Sequence, residues 1–200
     1  MPTSTVATAG LPSSWIIWGA LILILICAYS IYTSLIQKKN KVMEAFSSID
    51  VQLKKRYDLI PNILTLASKF MEHEKGLFEE VTKLRTQAMS LPSDMESMGK
   101  KIQLDSKIKD LMGKIMVSVE NYPELKSDQT MVTAMQTYNE VEEHIAAARR
   151  FYNSAVLELN NAVEIFPSSI FAAMVGAKKQ EFFQAEEAAR KAVNASDYLK

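Results

Sequence analysis

Residues 15–36 carry no charge, and after Lys38 the apolar residues thin to one every three or four positions. The first stretch, WIIWGALILILICAYSIYTSLI, predicts a membrane-crossing helix. Its 22 residues, at about 1.5 Å each, reach about 33 Å, against a hydrocarbon core of about 30 Å. Lipid offers backbone N–H and C=O groups no partner, so a helix is forced there. Trp15 and Trp18 stand at one end and Tyr29 and Tyr32 toward the other, where amphipathic rings favour the interfaces.

The second pattern is a helical repeat. The series Val42, Ile49, Arg56, Ile63, Phe70, Leu77, Leu84 interleaves with Phe46, Leu53, Ile60, Ala67, Glu74, Val81, Ala88. Twelve of the fourteen are apolar, which decides for helix over strand across 42–90. Pro61 falls inside the run but off its stripe, so a kinked continuation is expected. SLPSDMES at 90–97 breaks the pattern, and Ser93 with Glu96 reads as a capping box. The next helix carries Ile102, Ile108, Met112, Ile115, Val119 and Tyr122, with Asp105 as its polar intruder, and Pro123 stops it. A third helix starts at Asp128 as N-cap. It runs through Met131, Met135, Tyr138, Glu142, Ile145, Arg149, Tyr152, Val156, Leu159, Val163 and Phe166 to Pro167. A short fourth covers about 179–194, after an apolar run at 168–176 too short to span a bilayer. Short connections pack neighbours antiparallel. The expected fold is all-α: an N-terminal transmembrane helix followed by an antiparallel up-and-down bundle of long helices. Residues 1–14 form a short extracytoplasmic N-terminus, 15–37 the transmembrane helix and 38–200 a cytoplasmic bundle.

Charge sets the orientation. Residues 1–14 hold no Lys or Arg, whereas Lys38, Lys39 and Lys41 follow the apolar run, with Lys54, Lys55 and Arg56 beyond. Basic flanks stay cytoplasmic, so the N-terminus lies outside and the bundle inside. A cleaved signal peptide would need a basic n-region and a shorter apolar core, and neither is present. The three lysines are also placed to meet lipid headgroups, at about 1 kcal/mol each. Trp15, Trp18, Tyr29, Tyr32, Lys38, Lys39 and Lys41 are thus the anchor residues.

Lys and Arg total 23, as do Asp and Glu, so no charge surplus supports nucleic-acid binding. Cys27, the single cysteine, sits in the apolar run and leaves no disulfide to form. The two histidines, His73 and His144, follow Phe70 and Val141 by three places, so the Glu-x-x-His pair of a di-iron bundle is missing. Glu140 and His144 are four apart and would supply only two ligands. No phosphate loop, zinc-type cysteine spacing or nucleophile motif occurs. The expectation is no enzyme, no metal and no cofactor.

Arg56, Glu74, Glu142 and Arg149 interrupt the apolar stripes. Either they edge the core with heads in water, or they pair across helices and fix register, since a buried charge needs a partner.

Several blocks carry a family resemblance: IDVQLKKRYDLIPN at 49–62, ENYPEL at 120–125, IAAARRFYN at 145–153, FPS at 166–168 and EFF at 181–183. Together they resemble the LemA family over about residues 15–190. Gly176-Ala177 stands where that family usually has Gly-Phe, and Tyr138 where it usually has leucine. The resemblance implies a bacterial inner-membrane protein with an N-terminal anchor and a cytoplasmic helical bundle, and no established enzymatic chemistry. A branch similar to the magnetosome protein MamQ implies membrane organisation. Members encoded beside a membrane zinc protease imply quality control.

Two functions from different classes follow: a membrane-tethered scaffold that self-associates or organises membrane proteins, or an adaptor of a membrane metalloprotease. An enzyme with an unrecognised site is a third. Lengths favour a homo-oligomer. If 38–90 were one helix it would extend roughly 80 Å, and 97–122 would return only about 39 Å. That leaves Val42, Phe46, Ile49, Leu53 and Ile60 as a candidate interface, unless the fourth helix or the 168–176 run folds back over them.

Overall fold

The computed structural model describes residues 13–183, which are all helix, turn or extended coil. The helices are α1 (Ser13–Ala67), α2 (Lys75–Ser90), α3 (Met95–Val119), α4 (Pro123–Ser127), α5 (Gln129–Glu164) and α6 (Ser168–Met174), with a 3-10 turn at Glu72–Glu74. The all-α class, with one long apolar N-terminal helix followed by further helices, is as expected. The chain divides into two compact units, Met1–Lys41 with Val156–Glu181 and Val42–Ala155 with Phe182–Lys200.

In the first unit, α1 is exposed on every side from Trp15 to Cys27, and protection begins at Ala28. Leu35 is fully covered. The last turns of α5 lie alongside: Lys41 Nζ donates to Glu158 Oε1 at 2.8 Å, with Lys38 Nζ 4.0 Å from the other oxygen. α6 follows at once and closes in a Schellman motif. Gly176 takes φ +65°, the Ala177 N–H reaches the Ala172 carbonyl at 2.9 Å, and the Gly176 N–H that of Ala173 at 3.4 Å. The Asn160 amide then holds Gln180 by both backbone groups, accepting its N–H at 2.9 Å and donating to its C=O at 3.0 Å.

The second unit is a four-helix bundle. Asp50 with Lys101 and Arg56 with Asp105 set α1 and α3 parallel. Arg85 against Tyr57 runs α2 back along α1. Glu142 and Tyr138 against Arg56, with Leu59 and Leu66 near Gln129 and Thr137, run α5 antiparallel to α1. The order is up, down, up, down. Ile49, Leu53, Ile60, Ile63, Ile108, Met112 and Ile115 form its core, each with essentially no exposure. Phe183 is clamped on Asn153 as Gln180 is on Asn160, and its ring meets Tyr152 at 4.4 Å.

α1 passes through Pro61 unbroken. Proline has no N–H, so the carbonyl four residues earlier, that of Tyr57, loses its intrahelical donor. Arg85 of α2 supplies the replacement, with Nε donating to the Tyr57 carbonyl at 2.6 Å.

Several expectations need correction. The heptad at 42–90 is two helices: the chain reverses at 68–74, where Met71 is buried and Glu74 precedes α2. Phe70 and Leu77 keep the apolar phase across the reversal, so periodicity could not show it. With α2 folded back, the length estimate fails. Val42, Phe46, Ile49, Leu53 and Ile60 are at most 5% exposed within the chain; they are core, not an interface. Asp94, not Ser93, caps α3, accepting from the Ser97 N–H at 2.7 Å. Asp128 does cap α5, through Met131 at 2.9 Å. Phe166 lies past α5 and is exposed. Of the expected fourth helix, 179–183 is extended along α5 and 184–194 lies outside the described residues.

Replacing Arg85 by Met should cost about 1–3 kcal/mol, the usual effect of a buried carbonyl left unpaired. Pro61→Ala in that background restores an N–H for the Tyr57 carbonyl and should recover part of the loss. Urea midpoints of the two single variants and the double variant, in mild detergent, give the coupling. Strict additivity would refute the replacement.

Candidate functional site

The bundle interior holds a cluster of charges. Arg56 is 1% exposed. Its position in the first heptad series aims it inward, where α3 and α5 each bring a carboxylate. Arg56 Nη1 donates to Asp105 Oδ2 at 2.6 Å, and Nη2 pairs with Glu142 Oε2. The Tyr138 ring lies 5.5 Å from the guanidinium carbon, a cation–π distance. Arg149 Nη2 is 3.8 Å from Asp105 Oδ2 and Lys109 Nζ 2.9 Å from Glu142 Oε1. Three cations and two carboxylates thus meet between three helices.

One turn or more from this cluster, Lys101 Nζ donates to Asp50 Oδ1 at 2.7 Å and reaches Ser93 Oγ at 3.5 Å. Burial pushes the Asp50 carboxyl up, but hydrogen bonds from Lys101 and Ser93 and the charges of Lys101 and Lys54 outweigh it. The carboxyl is held below its ordinary value of 3.8. Burial raises both core phenols: Tyr138 to about 12, and Tyr57 upward as well with help from the Asp105 charge. Both stay neutral at physiological pH and wall the cluster.

Of the four charges expected to interrupt the stripes, the structure brings together Arg56, Glu142 and Arg149. Glu74 lies apart in the 72–74 turn. Lys101, Asp50 and Lys109 were not expected in a cluster, and Asp105 was noted only as an intruder on its stripe. Asp105 had a visible signal, as the polar residue on an otherwise apolar stripe; the others sit at stripe edges. Glu140 and His144 are on the exposed face of α5. A guanidinium does not give up its proton, so the arrangement can hold helices in register and carry no acid–base step through Arg56.

The sequence matches the LemA family model over residues 45–196. The chain belongs to the LemA family. Every member of the charge cluster lies within the matched span. Curated relatives include magnetosome protein MamQ 2 of Paramagnetospirillum magneticum, 23% identical over 78% of this chain and 66% of its own length. Protein LemA of Metamycoplasma hominis is 23% identical over 82% of this chain and 73% of its own. Magnetosome protein MamQ of Magnetospirillum gryphiswaldense is 22% identical over 71% and 60%. The chain therefore spans about two thirds of the length of the MamQ relatives. Of the family blocks, 49–62 supplies Asp50, Arg56, Tyr57 and Pro61, and 145–153 supplies Arg149 and Asn153. The 120–125 block turns the chain between α3 and α4, with Leu125 buried.

Arg56→Ala should destabilise the bundle by about 3–5 kcal/mol, because it removes the buried guanidinium with which Asp105 and Glu142 both pair. Lys126→Ala, which breaks the exposed pair with Glu120, should change stability by about 0–1 kcal/mol. Equal urea midpoints would show the cluster to be energetically idle. Asp50 makes a pH prediction. Its folded pKa is depressed, so its contribution is present above its unfolded pKa and is lost as pH falls through the folded value. The stability gap between wild type and Asp50→Asn should be constant from neutral pH to about pH 5 and shrink below about pH 4. A gap unchanged at the acid end would refute it.

Proposed function

We propose that this chain is a non-enzymatic, membrane-anchored scaffold, whose helical bundle stands at the cytoplasmic face of a bacterial inner membrane and self-associates or organises membrane proteins there. One observation carries the anchoring. Every large apolar residue along the first turns of α1, from Trp15 to Ile26, is 47–67% exposed, on a helix long and apolar enough to cross a membrane. An uncovered apolar surface of that size needs lipid or protein around it, and the uncharged run matches a bilayer in length. The lysines at 38, 39 and 41 support an N-out orientation. The similarity to proteins named as magnetosome proteins supports an organising role over a catalytic one. Self-association no longer rests on the 42–60 stripe, which is core, and would use another surface.

Full-length protein should stay with membranes through alkaline carbonate. Leu21→Arg with Leu25→Arg should release it, since each central arginine costs about 2.5–3.5 kcal/mol on insertion scales. In a Cys27→Ser background, Thr5→Cys should label from outside intact cells and Gln87→Cys only after permeabilisation; the reverse pattern would overturn the orientation. Light scattering in mild detergent reads the scaffold: a mass of one chain, with a stoichiometric protease on co-purification, would replace it by an adaptor.

A further inference from the structure

The first unit exposes a second apolar surface, separate from the run at 15–27. Residues 165–177, IFPSSIFAAMVGA, contain no charge. Ala172 is buried, but Ile165, Phe166, Ile170 and Met174 are 59%, 75%, 54% and 78% exposed. Ile170 and Met174 are one turn apart on α6 and share its exposed side, and Phe166 is exposed in the turn just before it. In a bundle surrounded by water this is costly and serves no packing.

Its level along α1 identifies what covers it. One cleft of the unit is lined by Ser30, Ser34 and Lys38 of α1 together with Ile165 and Ser168. Ser30 and Ser34 belong to the last seven residues of the uncharged run at 15–36, about 10 Å of helix. If that run fills a hydrocarbon core of about 30 Å, the α5–α6 turn stands at its edge, in the headgroup layers that bring the bilayer to about 40–45 Å. Lys178, which directly follows the uncharged stretch, is exposed, as lysines are at the rim of an interfacial helix.

We propose that the α5–α6 turn is a second membrane contact: Phe166, Ile170 and Met174 insert into the headgroup–acyl boundary of the leaflet that α1 enters. The occupant is the lipid of the bilayer. This rests on the reading of 15–36 as the span, whose last turns line the cleft beside the α5–α6 turn. The contact ties the far end of the bundle's last long helix to the membrane that holds its first, so the anchor is a two-point one.

The test uses the full chain in a Cys27→Ser background, reconstituted in vesicles of phosphatidylcholine with a minority of phosphatidylglycerol. Single cysteines at Phe166, Met174 and Ile24, all at exposed positions, carry an NBD dye. Lipids bearing a doxyl quencher in the shallow acyl chain should quench the dyes at 166 and 174 roughly twofold, as expected for groups about 5–10 Å into the interface. The dye at 24, near the middle of the run, is read with a doxyl quencher deep in the acyl chain and reports the span. Quenching at 24 without quenching at both 166 and 174 overturns this proposal and leaves the span intact. No quenching at 24 overturns the span reading and this one with it. Blue-shifted but unquenched emission at 166 and 174 means that protein, a second copy or a partner, covers the turn, and likewise overturns it.

Discussion

The bundle is organised around a guanidinium that cannot be neutralised. Arg56 is 1% exposed, and a buried cation is tolerable only if anionic partners come with it. Asp105 and Glu142 do so from different helices. An apolar core of Ile, Leu and Met could slide by a turn, about 5.4 Å, and bury nearly as much surface. The charge cluster could not, because a shift of that size would strand at least one ion. The register of α1, α3 and α5 follows from that one residue more than from the dozen apolar side chains around it.

Polar contacts to α1 recur for every long helix of the bundle. α2 is fixed by Arg85 on the Tyr57 carbonyl, α3 by Lys101 on Asp50 and by Asp105 on Arg56, and α5 by Glu142 on Arg56. These three α1 groups lie within eight residues, Asp50 to Tyr57, and Pro61 creates the need for a donor from α2 at Tyr57 by removing an N–H. A proline that would weaken an isolated helix here converts a backbone carbonyl into a docking point. α1 therefore acts as the hub: the same helix that carries the uncharged N-terminal run presents the groups that the other three must match.

The class of fold was legible because its signals are long and periodic: an uncharged run of bilayer length, and stripes at helical spacing. The Asp128 cap of the third helix was legible because a specific residue type marks it. The reversal at 68–74 was not. No glycine or proline marks it, Phe70 and Leu77 keep phase through it, and Glu74 takes a core slot in the pattern while sitting in a turn. That one omission propagated into the misplaced interface, since a helix that doubles back covers what a straight one leaves bare. In the cluster, Arg56, Glu142 and Arg149 could be named because a charge on an apolar stripe is conspicuous, but pairing depends on which helices face each other. Asp105 was visible as an intruder yet only its position opposite Arg56 explains it. Lys101 and Asp50 sit at stripe edges, where a buried pair and a solvated one look alike.

Phe166 shows how an apparent fault in a pattern carries information. It continues the stripe of α5 in sequence, so a bundle in water would place it in the core; the chain instead ends α5 at Glu164 and leaves the ring outside. Past the turn, Ile170 and Met174 lie one helical turn apart on the exposed side of α6 while Ala172 is buried. A helical stripe of large apolar residues facing away from the protein is built for a medium other than water. The adjacent turns of α1, from Ser30 to Leu35, belong to the uncharged run, so the nearest such medium is the bilayer that run enters.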